Sequence, residues 1–409
     1  MSLSRCLKNA SGGDMKILMI TPYLPYPLVS GGQIRTYNLL KNLATKHKIT
    51  LASFIRESAE EKYLKELAPY CQKVIIFRRR KAWSPINILL AGFTFYPFLV
   101  SIYFSPFVKR RIQQELEAEK YDLIHAETFY VMPNIPQTKI PIFLVEQVIE
   151  YLVYQRFVEG LPFWALPIKP FLFLDVFKIK WWERYYWRRA KRLAAMSDDD
   201  RAFIQNHSPL TVDVIANGVD IDYFAMTKKH KPQNPTVLFV GQFKWLPNRD
   251  ATQFLVEEIW PKIKTVLKDA HLWIVGRNPP KDILKFRAED IRVDGVVEDI
   301  RVAYAKADVL LAPIRNGRGT KYKILEAMAT KTPIVGTRLA VEGINIKDQK
   351  DALIAQSAED LALQTIKVLE NPELGQKLAK NAYKLVREEY NWKKISDRLD
   401  RVYQDVGGG

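Results

Sequence analysis

Cysteine is nearly absent from this chain of 409 residues, which contains only Cys6 and Cys71. Two cysteines cannot build the disulfide framework of a small secreted domain, and this usage fits a reducing compartment. The five histidines are scattered, and no histidines and cysteines recur at the spacing of a metal site. The sequence therefore predicts no bound metal ion.

An apolar leader is also missing, because the first fourteen residues contain no hydrophobic run, and we expect no signal peptide. Acidic residues are outnumbered: 62 Lys and Arg against 45 Asp and Glu give a net charge of +17. This excess indicates a polyanionic partner, which leaves nucleic acid, a phosphorylated substrate and an anionic membrane surface open. The length exceeds that of one ordinary core and predicts two domains.

Short apolar runs alternate with helical patterns along most of the chain, from KILMIT at 16–21 to PIVGT at 333–337. This alternation predicts an α/β fold with parallel sheets covered on both faces. We predict an N-terminal domain at 15–215 and a C-terminal domain at 216–391. A last helix at about 392–406 is expected to pack back on the N-terminal domain. In such sheets ligands bind beyond the carboxyl ends of the strands.

A glycine-rich basic turn, GRGTK, leads straight into the helical pattern YKILEAMA. We interpret Gly317, Gly319, Thr320 and Lys321 as a phosphate site, in which backbone N–H groups, a helix dipole and a cation bind the anion. The alternative is a plain loop in which glycine permits the turn and Thr320 caps the helix.

Five motifs stand in a fixed order in the C-terminal half, and this half resembles the nucleotide-sugar domain of GT-B glycosyltransferases. They are VIANGVD, FVGQFKWLPN, IVGRNP, DGVVEDI and VLLAPIRNGRGTKYKILEAMATKTPIVGT. The likeness is greatest to the retaining family-4 group, also named glycosyl transferases group 1. It implies two Rossmann-like doubly wound domains facing each other across a cleft, with donor in the C-terminal domain and acceptor in the N-terminal one. It also implies no metal and no cofactor, because a helix dipole and cations stabilise the leaving diphosphate.

The resemblance assigns further donor-binding roles residue by residue. Glu326 matches the glutamate that hydrogen-bonds the ribose. Arg318 stands where the family usually has a second glutamate facing the sugar, which leaves the sugar contacts open. Lys244 is expected at the diphosphate, and Arg277 and the segment that begins at Val296 are expected at the base.

Two positions in the N-terminal half carry the remaining candidates. Gly31 and Gly32 open the first long helix, where glycines let a phosphate approach closely, and a mere turn is the alternative. His125 and Glu127 end the run DLIHAE and are candidate catalytic residues, although a lone histidine is often structural. Further acids in this half could orient an acceptor hydroxyl: Glu146 and Glu150.

Two stretches indicate a membrane. Residues 82–108 carry no charge, but three prolines and basic residues on both flanks argue against a span. We expect an interfacial segment or an apolar pocket there, with internal helices as the alternative. Residues 178–192, KIKWWERYYWRRAKR, place an aromatic face beside a basic face, as in helices that bind anionic lipid. Single-stranded nucleic acid is the alternative for this stretch, but we predict no nucleic-acid partner.

The sequence thus predicts a bacterial hexosyltransferase, cytoplasmic and peripheral to the inner face of the cell membrane. It would move a hexose or N-acetylhexosamine, with retention, from a nucleotide sugar to a lipid-linked or polysaccharide acceptor of the cell envelope. Two alternatives stay open: a nucleotide-sugar epimerase of the same fold, and a non-catalytic nucleotide-binding subunit.

Overall fold

The computed structural model describes residues 14–227, 229–230, 232–295, 297–317 and 319–407. The chain divides into two compact units. The first contains the described residues up to Ala216 and again from Ser396, and the second is Asn217–Ile395.

The first unit is built on a sheet of seven parallel strands in the order β3-β2-β1-β4-β5-β6-β7. The strands are β1 Lys16–Thr21, β2 Lys48–Ile55, β3 Lys73–Arg78, β4 Leu123–Glu127, β5 Ile142–Val145, β6 Arg192–Ala195 and β7 Val212–Val214. Ile17 of β1 pairs with Ile49 on one side and Leu123 on the other. All three side chains are buried, as expected for a parallel sheet covered on both faces.

Seven α-helices connect these strands: α1 Gly31–Leu43, α2 Pro85–Phe93, α3 Phe98–Tyr103, α4 Pro106–Ala118, α5 Glu150–Glu159, α6 Lys169–Trp187 and α7 Asp198–Gln205. Short 3-10 helices add to them: Ser58–Glu66, Ala68–Tyr70, Phe129–Asn134 and Phe163–Ala165. The sequence EEKYLKELAPY has a helical pattern, but 3-10 helices rather than an α-helix occupy its place. The first of them buries no residue, so no apolar face holds a longer helix against the core.

The second unit is built on six parallel strands in the order β10-β9-β8-β11-β12-β13. They are β8 Thr236–Val240, β9 His271–Val275, β10 Ile291–Asp294, β11 Val309–Ala312, β12 Ile334–Gly336 and β13 Leu353–Ile354. The helices are α8 Ile221–Ala225, α9 Leu246–Phe254, α10 Trp260–Val266, α11 Lys281–Leu284, α12 Ile300–Ala305, α13 Tyr322–Ala329, α14 Ala358–Glu370 and α15 Pro372–Glu389, with a π-helical turn at Leu255–Ile259. The fold-class prediction, α/β with two Rossmann-like parallel sheets, is confirmed.

The last helix, α16 Trp392–Gly407, joins the first unit from Ser396 onward. Its Leu399 and Tyr403 side chains are fully buried there. Lys46, which lies just after α1, donates to Asp397 and Asp400 at 2.8 and 2.7 Å. Apolar burial and these ion pairs together attach the end of the chain to the first sheet.

The strand order reverses at one place in each sheet, between β1 and β4 in the first unit and between β8 and β11 in the second. At such a reversal the neighbouring loops leave the sheet on opposite faces and open a crevice at the carboxyl ends of the strands. The loops after β1 and β4, and those after β8 and β11, are therefore where a ligand site is expected.

The two stretches with a predicted membrane role fold differently from each other. Residues 82–108 form α2, α3 and the start of α4; α3 is largely buried, whereas α2 exposes Ile86 and Phe93. The aromatic arc predicted in 178–192 is divided: Trp181 is exposed, whereas Tyr186 is buried and Trp182 stacks on it at 5.5 Å. Among the residues that the structure describes, no helix is both long and apolar enough to cross a membrane.

Candidate functional site

In the second unit, hydrogen bonds hold the loops after β8 and β11 together at the strand-order reversal. Lys323 Nζ of α13 donates to Asn248 Oδ1 of α9 at 2.9 Å, and Asn248 Nδ2 donates to the Gln242 carbonyl at 2.9 Å. Arg315, just after β11, forms an ion pair with Asp250 of α9 at 2.8 Å. These contacts fix the loop that follows Arg315 beside the start of α9.

The glycine turn in that loop adopts a backbone conformation that favours glycine. Gly317 has φ +102° and Gly319 has φ +81°, both in the left-handed region, where a Cβ atom is strained. The turn aims the Gly319 N–H at Glu342, whose Oε2 accepts it at 3.2 Å. Lys321 Nζ lies 3.5 Å from the same oxygen. One carboxylate oxygen thus occupies the place where backbone and cation converge, as an anionic ligand would.

Helix α13 begins at Tyr322, with Lys321 rather than Thr320 in the N-cap position. The alternative role of Thr320 as the helix cap is therefore wrong. Within the described part of the chain its buried Oγ1 has no hydrogen-bond partner. Burial lowers the pKa of the Lys321 ammonium, against the effect of Glu342, and lowers that of Lys323 to about 7. A bound phosphate would stabilise both ammonium forms.

Glu326 lies one turn further along α13 and is half-buried. Tyr304 of α12 donates its hydroxyl to Glu326 Oε2 at 2.8 Å. Burial raises the pKa of the Glu326 carboxyl, and the Tyr304 hydrogen bond and the Lys323 charge act in the opposite direction. Tyr304 holds one oxygen in place, so the carboxylate is fixed in orientation and suited to accept ligand hydroxyl groups.

The other predicted donor residues lie on neighbouring loops. Lys244 follows β8 and Arg277 follows β9, and both side chains are exposed. The glycines of these two loops approach closely, since a Cβ on Gly276 would lie 1.7 Å from the Gly241 carbonyl oxygen. Two further candidates lie outside the described residues: Val296 and Arg318. The structure thus groups Gly317, Gly319, Thr320, Lys321 and Glu326 around the start of α13.

In the first unit, the glycines at the start of α1 meet the end of β4 through two polar side chains. A Cβ on Gly32 would lie 1.9 Å from the Tyr23 hydroxyl oxygen. Gln147 Nε2 donates to that hydroxyl at 2.6 Å and to Glu127 Oε2 at 2.8 Å. Ser30 caps α1, which begins at Gly31. The Tyr23 side chain therefore leaves no room for a Cβ atom at Gly32. That a phosphate binds close to Gly31 and Gly32 stays a prediction.

The two candidate catalytic residues are adjacent and completely buried. His125 Nε2 lies 3.1 Å from Glu127 Oε1, and His125 Nδ1 is hydrogen-bonded to the Tyr403 hydroxyl of α16. The guanidinium of Arg35 lies 3.8 Å from Glu127 Oε1. Burial disfavours the Glu127 carboxylate, but His125, Arg35 and Gln147 outweigh it and hold its pKa below the usual value. This arrangement favours a positioning role for His125, and its catalytic role stays a prediction.

Three further carboxyls cluster just beyond β5. Glu183 of α6 accepts from the backbone N–H groups of Glu150 and Tyr151 at 2.8 and 3.2 Å. Trp187 Nε1 donates to Glu146 at 2.9 Å. Burial and mutual repulsion raise the pKa of Glu146 and Glu183, and burial raises that of Glu150 to about 7. Glu146 and Glu150 were candidates from the sequence, as acids of this half of the chain. Glu183 was not, because only folding brings it beside them.

Among the residues whose placement is described, no three His, Cys, Asp or Glu side chains converge as metal ligands would. The expectation of no metal and no cofactor stays a prediction.

Comparison with known proteins identifies the family. Residues 29–223 match the sequence model of Glycosyltransferase Family 4, and residues 234–371 match that of Glycosyl transferases group 1. The chain belongs to this glycosyltransferase family. Sequence reasoning had predicted this membership from the C-terminal motifs, and the prediction is confirmed.

Two curated relatives of this glycosyltransferase differ in how much of the chain they cover. Phosphatidyl-myo-inositol mannosyltransferase of Mycobacterium tuberculosis is 31% identical over 209 residues, which cover 47% of this chain and 54% of the relative. The chain thus spans about half the length of the mannosyltransferases it matches. An uncharacterized protein of the cps region of Klebsiella pneumoniae is 22% identical over 401 residues, covering 93% of this chain and 97% of that protein.

Solved structures support the fold along nearly the whole chain. Sucrose-phosphate synthase from Thermosynechococcus elongatus has a TM-score of 0.68 at 18% identity and covers 96% of this chain and 99% of its own. HepE of Anabaena, in complex with UDP and glucose, has a TM-score of 0.63 at 16% identity, with coverages of 96% and 100%. At these identities the likeness concerns the fold, which is GT-B.

We predict that Glu326→Ala weakens nucleotide-sugar binding by about 1–3 kcal/mol, because the ligand hydroxyls lose a charged acceptor in a half-buried site. Tyr304→Phe is the matched control: it removes the hydrogen bond that orients the carboxylate but keeps its charge, so the loss should be smaller. Isothermal titration calorimetry measures both. Unchanged affinity in a folded Glu326→Ala protein would rule out contact with the donor.

We predict that Lys321→Ala weakens the binding of a nucleoside diphosphate by about 1–3 kcal/mol, because Lys321 would contact its phosphates. The binding of an uncharged nucleoside should stay nearly unaffected, because it carries no anion. Gly319→Val should act alike and also destabilise the unit, given its positive φ. Lys367→Ala, at an exposed position of α14, is the control. Equal weakening of nucleoside and nucleoside diphosphate would show that the turn only shapes the domain.

Proposed function

We propose that this glycosyltransferase transfers a hexose or N-acetylhexosamine from a nucleotide sugar, with retention of configuration, to a lipid-linked or polysaccharide acceptor at a membrane surface. The observation that carries the proposal is the glycine turn at the start of α13. There the Gly319 N–H and the Lys321 ammonium converge on one anionic oxygen, that of Glu342.

In this proposal the second unit binds the donor. The diphosphate replaces the Glu342 carboxylate at Gly319 and Lys321, where the start of α13 adds its dipole. Glu326 then accepts the ribose hydroxyls. HepE, whose fold is similar, was solved in complex with UDP and glucose and in complex with UDP-glucose, which supports a nucleotide-sugar donor.

The transfer step needs positioning and charge stabilisation more than a protein nucleophile. The bond between the anomeric carbon and the phosphate oxygen breaks, and the acceptor oxygen bonds to that carbon on the same face. The acceptor proton passes to the departing phosphate oxygen. Lys321 and the Gly319 N–H stabilise the negative charge that grows on the diphosphate, and a fixed donor orientation lowers the entropic barrier.

The first unit supplies the acceptor side. Buried polar atoms near the ends of β4 and β5 have no hydrogen-bond partner among the described residues: Arg35 Nη2, Thr128 Oγ1 and Glu146 Oε2. Unpartnered buried polar atoms are costly, and acceptor hydroxyls would satisfy them. The mannosyltransferase relatives are named for phosphatidyl-myo-inositol, which supports a lipid acceptor. We place this acceptor, as part of the proposal, at the cytoplasmic face of a cell membrane.

Donor turnover with and without acceptor tests this proposal. The purified chain is first titrated by calorimetry with UDP-, GDP- and dTDP-sugars, and the best ligand is then incubated with and without lipid acceptors. We expect nucleoside diphosphate release only with an acceptor, and its loss in Glu326→Ala. Conversion of the sugar without an acceptor would indicate an epimerase. Tight binding without turnover over a broad acceptor panel would indicate a non-catalytic subunit; either result contradicts the proposal.

A further inference from the structure

The first unit exposes large apolar side chains that its own fold leaves uncovered. They concentrate on α2 and on residues 157–181, which include the end of α5, its connection to α6 and most of α6. Phe93 is 85% exposed, Phe163 83%, Trp164 74% and Phe171 73%. We call these two segments the apolar surface. An apolar concentration of this kind on a water-soluble unit marks an interaction site.

Helices α5 and α6 form an antiparallel hairpin that hydrogen bonds hold together at both ends. At one end Lys169 Nζ donates to the Glu159 carbonyl at 3.4 Å. At the other end Glu183 binds the first backbone N–H groups of α5, just beyond the carboxyl end of β5. Between Lys169 and Glu183 runs roughly 20 Å of helix at 1.5 Å per residue. The hairpin therefore extends from the sheet edge where a substrate site is expected.

Helix α2 joins this hairpin through a buried lysine. Lys178 Nζ of α6 donates to the carbonyls of Ala91 and Thr94 at 2.6 and 2.9 Å, at the carboxyl end of α2. The Phe95 ring lies 5.0 Å from that of Trp181. A cation at a helix carboxyl terminus is favourable, and here it binds the two segments together. The apolar surface is thus continuous rather than two separate patches.

Basic residues border the apolar surface. Its segments carry one fully exposed acid, Glu159, while Asp175 is engaged by the Phe98 N–H at 2.8 Å. Exposed basic residues adjoin both segments: Lys81, whose carbonyl accepts from Asn87 of α2, and Arg156 of α5. Exposed phenylalanine and tryptophan beside arginine and lysine complement the acyl boundary and the anionic headgroups of a bilayer.

We propose that the apolar surface of α2 and the α5–α6 hairpin docks this chain on an anionic lipid bilayer as a monotopic contact. This inference rests on the membrane-surface action proposed above. The aromatic side chains enter the headgroup and upper acyl region while the bordering cations bind lipid phosphates. The contact brings the carboxyl edge of the first sheet to the layer in which a lipid acceptor resides.

Vesicle flotation of the purified chain tests the docking, with vesicles of phosphatidylcholine alone or mixed with phosphatidylglycerol. Neither donor nor glycosyl acceptor is present, so the result is independent of transfer. We expect binding to the mixed vesicles that weakens with added salt. Trp164→Ser with Phe171→Ser should lower the partition coefficient at least about tenfold, because two exposed aromatic rings lose their burial in lipid.

The matched control replaces exposed apolar residues of the second unit, Val266→Ser with Leu363→Ser, and should float like the unchanged chain. Lys81→Gln with Arg156→Gln should weaken binding to the anionic vesicles only. Glu326→Ala should float normally, which separates failure of docking from failure of donor binding. Equal flotation of the aromatic variant and the unchanged chain overturns the proposal. The proposal is also overturned if the unchanged chain sediments as a dimer and the aromatic variant as a monomer while vesicle binding is unaltered. That result would assign the apolar surface to contact with a second copy of the chain.

Discussion

Every connection between neighbouring parallel strands must cross over the sheet, and this constraint shapes both units. In each sheet, later strands are added on both sides of the first strand. The strand order therefore reverses beside β1 and beside β8. The loops at a reversal leave in opposite directions and open a crevice. The glycine turn of the second unit and the Gly32–Tyr23–Gln147–Glu127 contacts of the first both lie at such crevices. The candidate chemistry is therefore placed by topology before any side chain is considered.

The candidate sites of the two units differ in charge, and this difference fits a donor site in one unit and an acceptor site in the other. In the second unit burial lowers the pKa of Lys321 and of Lys323, so their charged forms favour a nearby anion. A diphosphate would supply that negative charge. In the first unit burial and neighbouring acids raise the pKa of Glu146 and Glu183, so these carboxyls disfavour a further negative charge nearby but can hydrogen-bond hydroxyl groups. This difference supports our proposal that donor and acceptor bind in different units.

Sequence patterns predicted most of the sheet strands because fully buried parallel strands are continuous apolar runs, as in KILMIT and TVLFV. The glycine turn was predictable because glycine favours the positive φ angles that Gly317 and Gly319 adopt. Tyr304 and Glu342 were not predictable, because only folding brings them to Glu326 and Gly319. For residues 178–192 the helical periodicity predicted an aromatic arc but not which of its side chains are exposed. Tyr186 of this arc packs into the core.

A crystal structure with a bound nucleoside diphosphate tests most directly whether the turn at the start of α13 binds the donor diphosphate. We expect diphosphate oxygens about 3 Å from the Gly319 nitrogen and Lys321 Nζ, in the place that the Glu342 carboxylate now occupies. The Glu326 carboxylate should then accept the ribose hydroxyls. A diphosphate bound elsewhere, with Glu342 still hydrogen-bonded to Gly319, would contradict the claim.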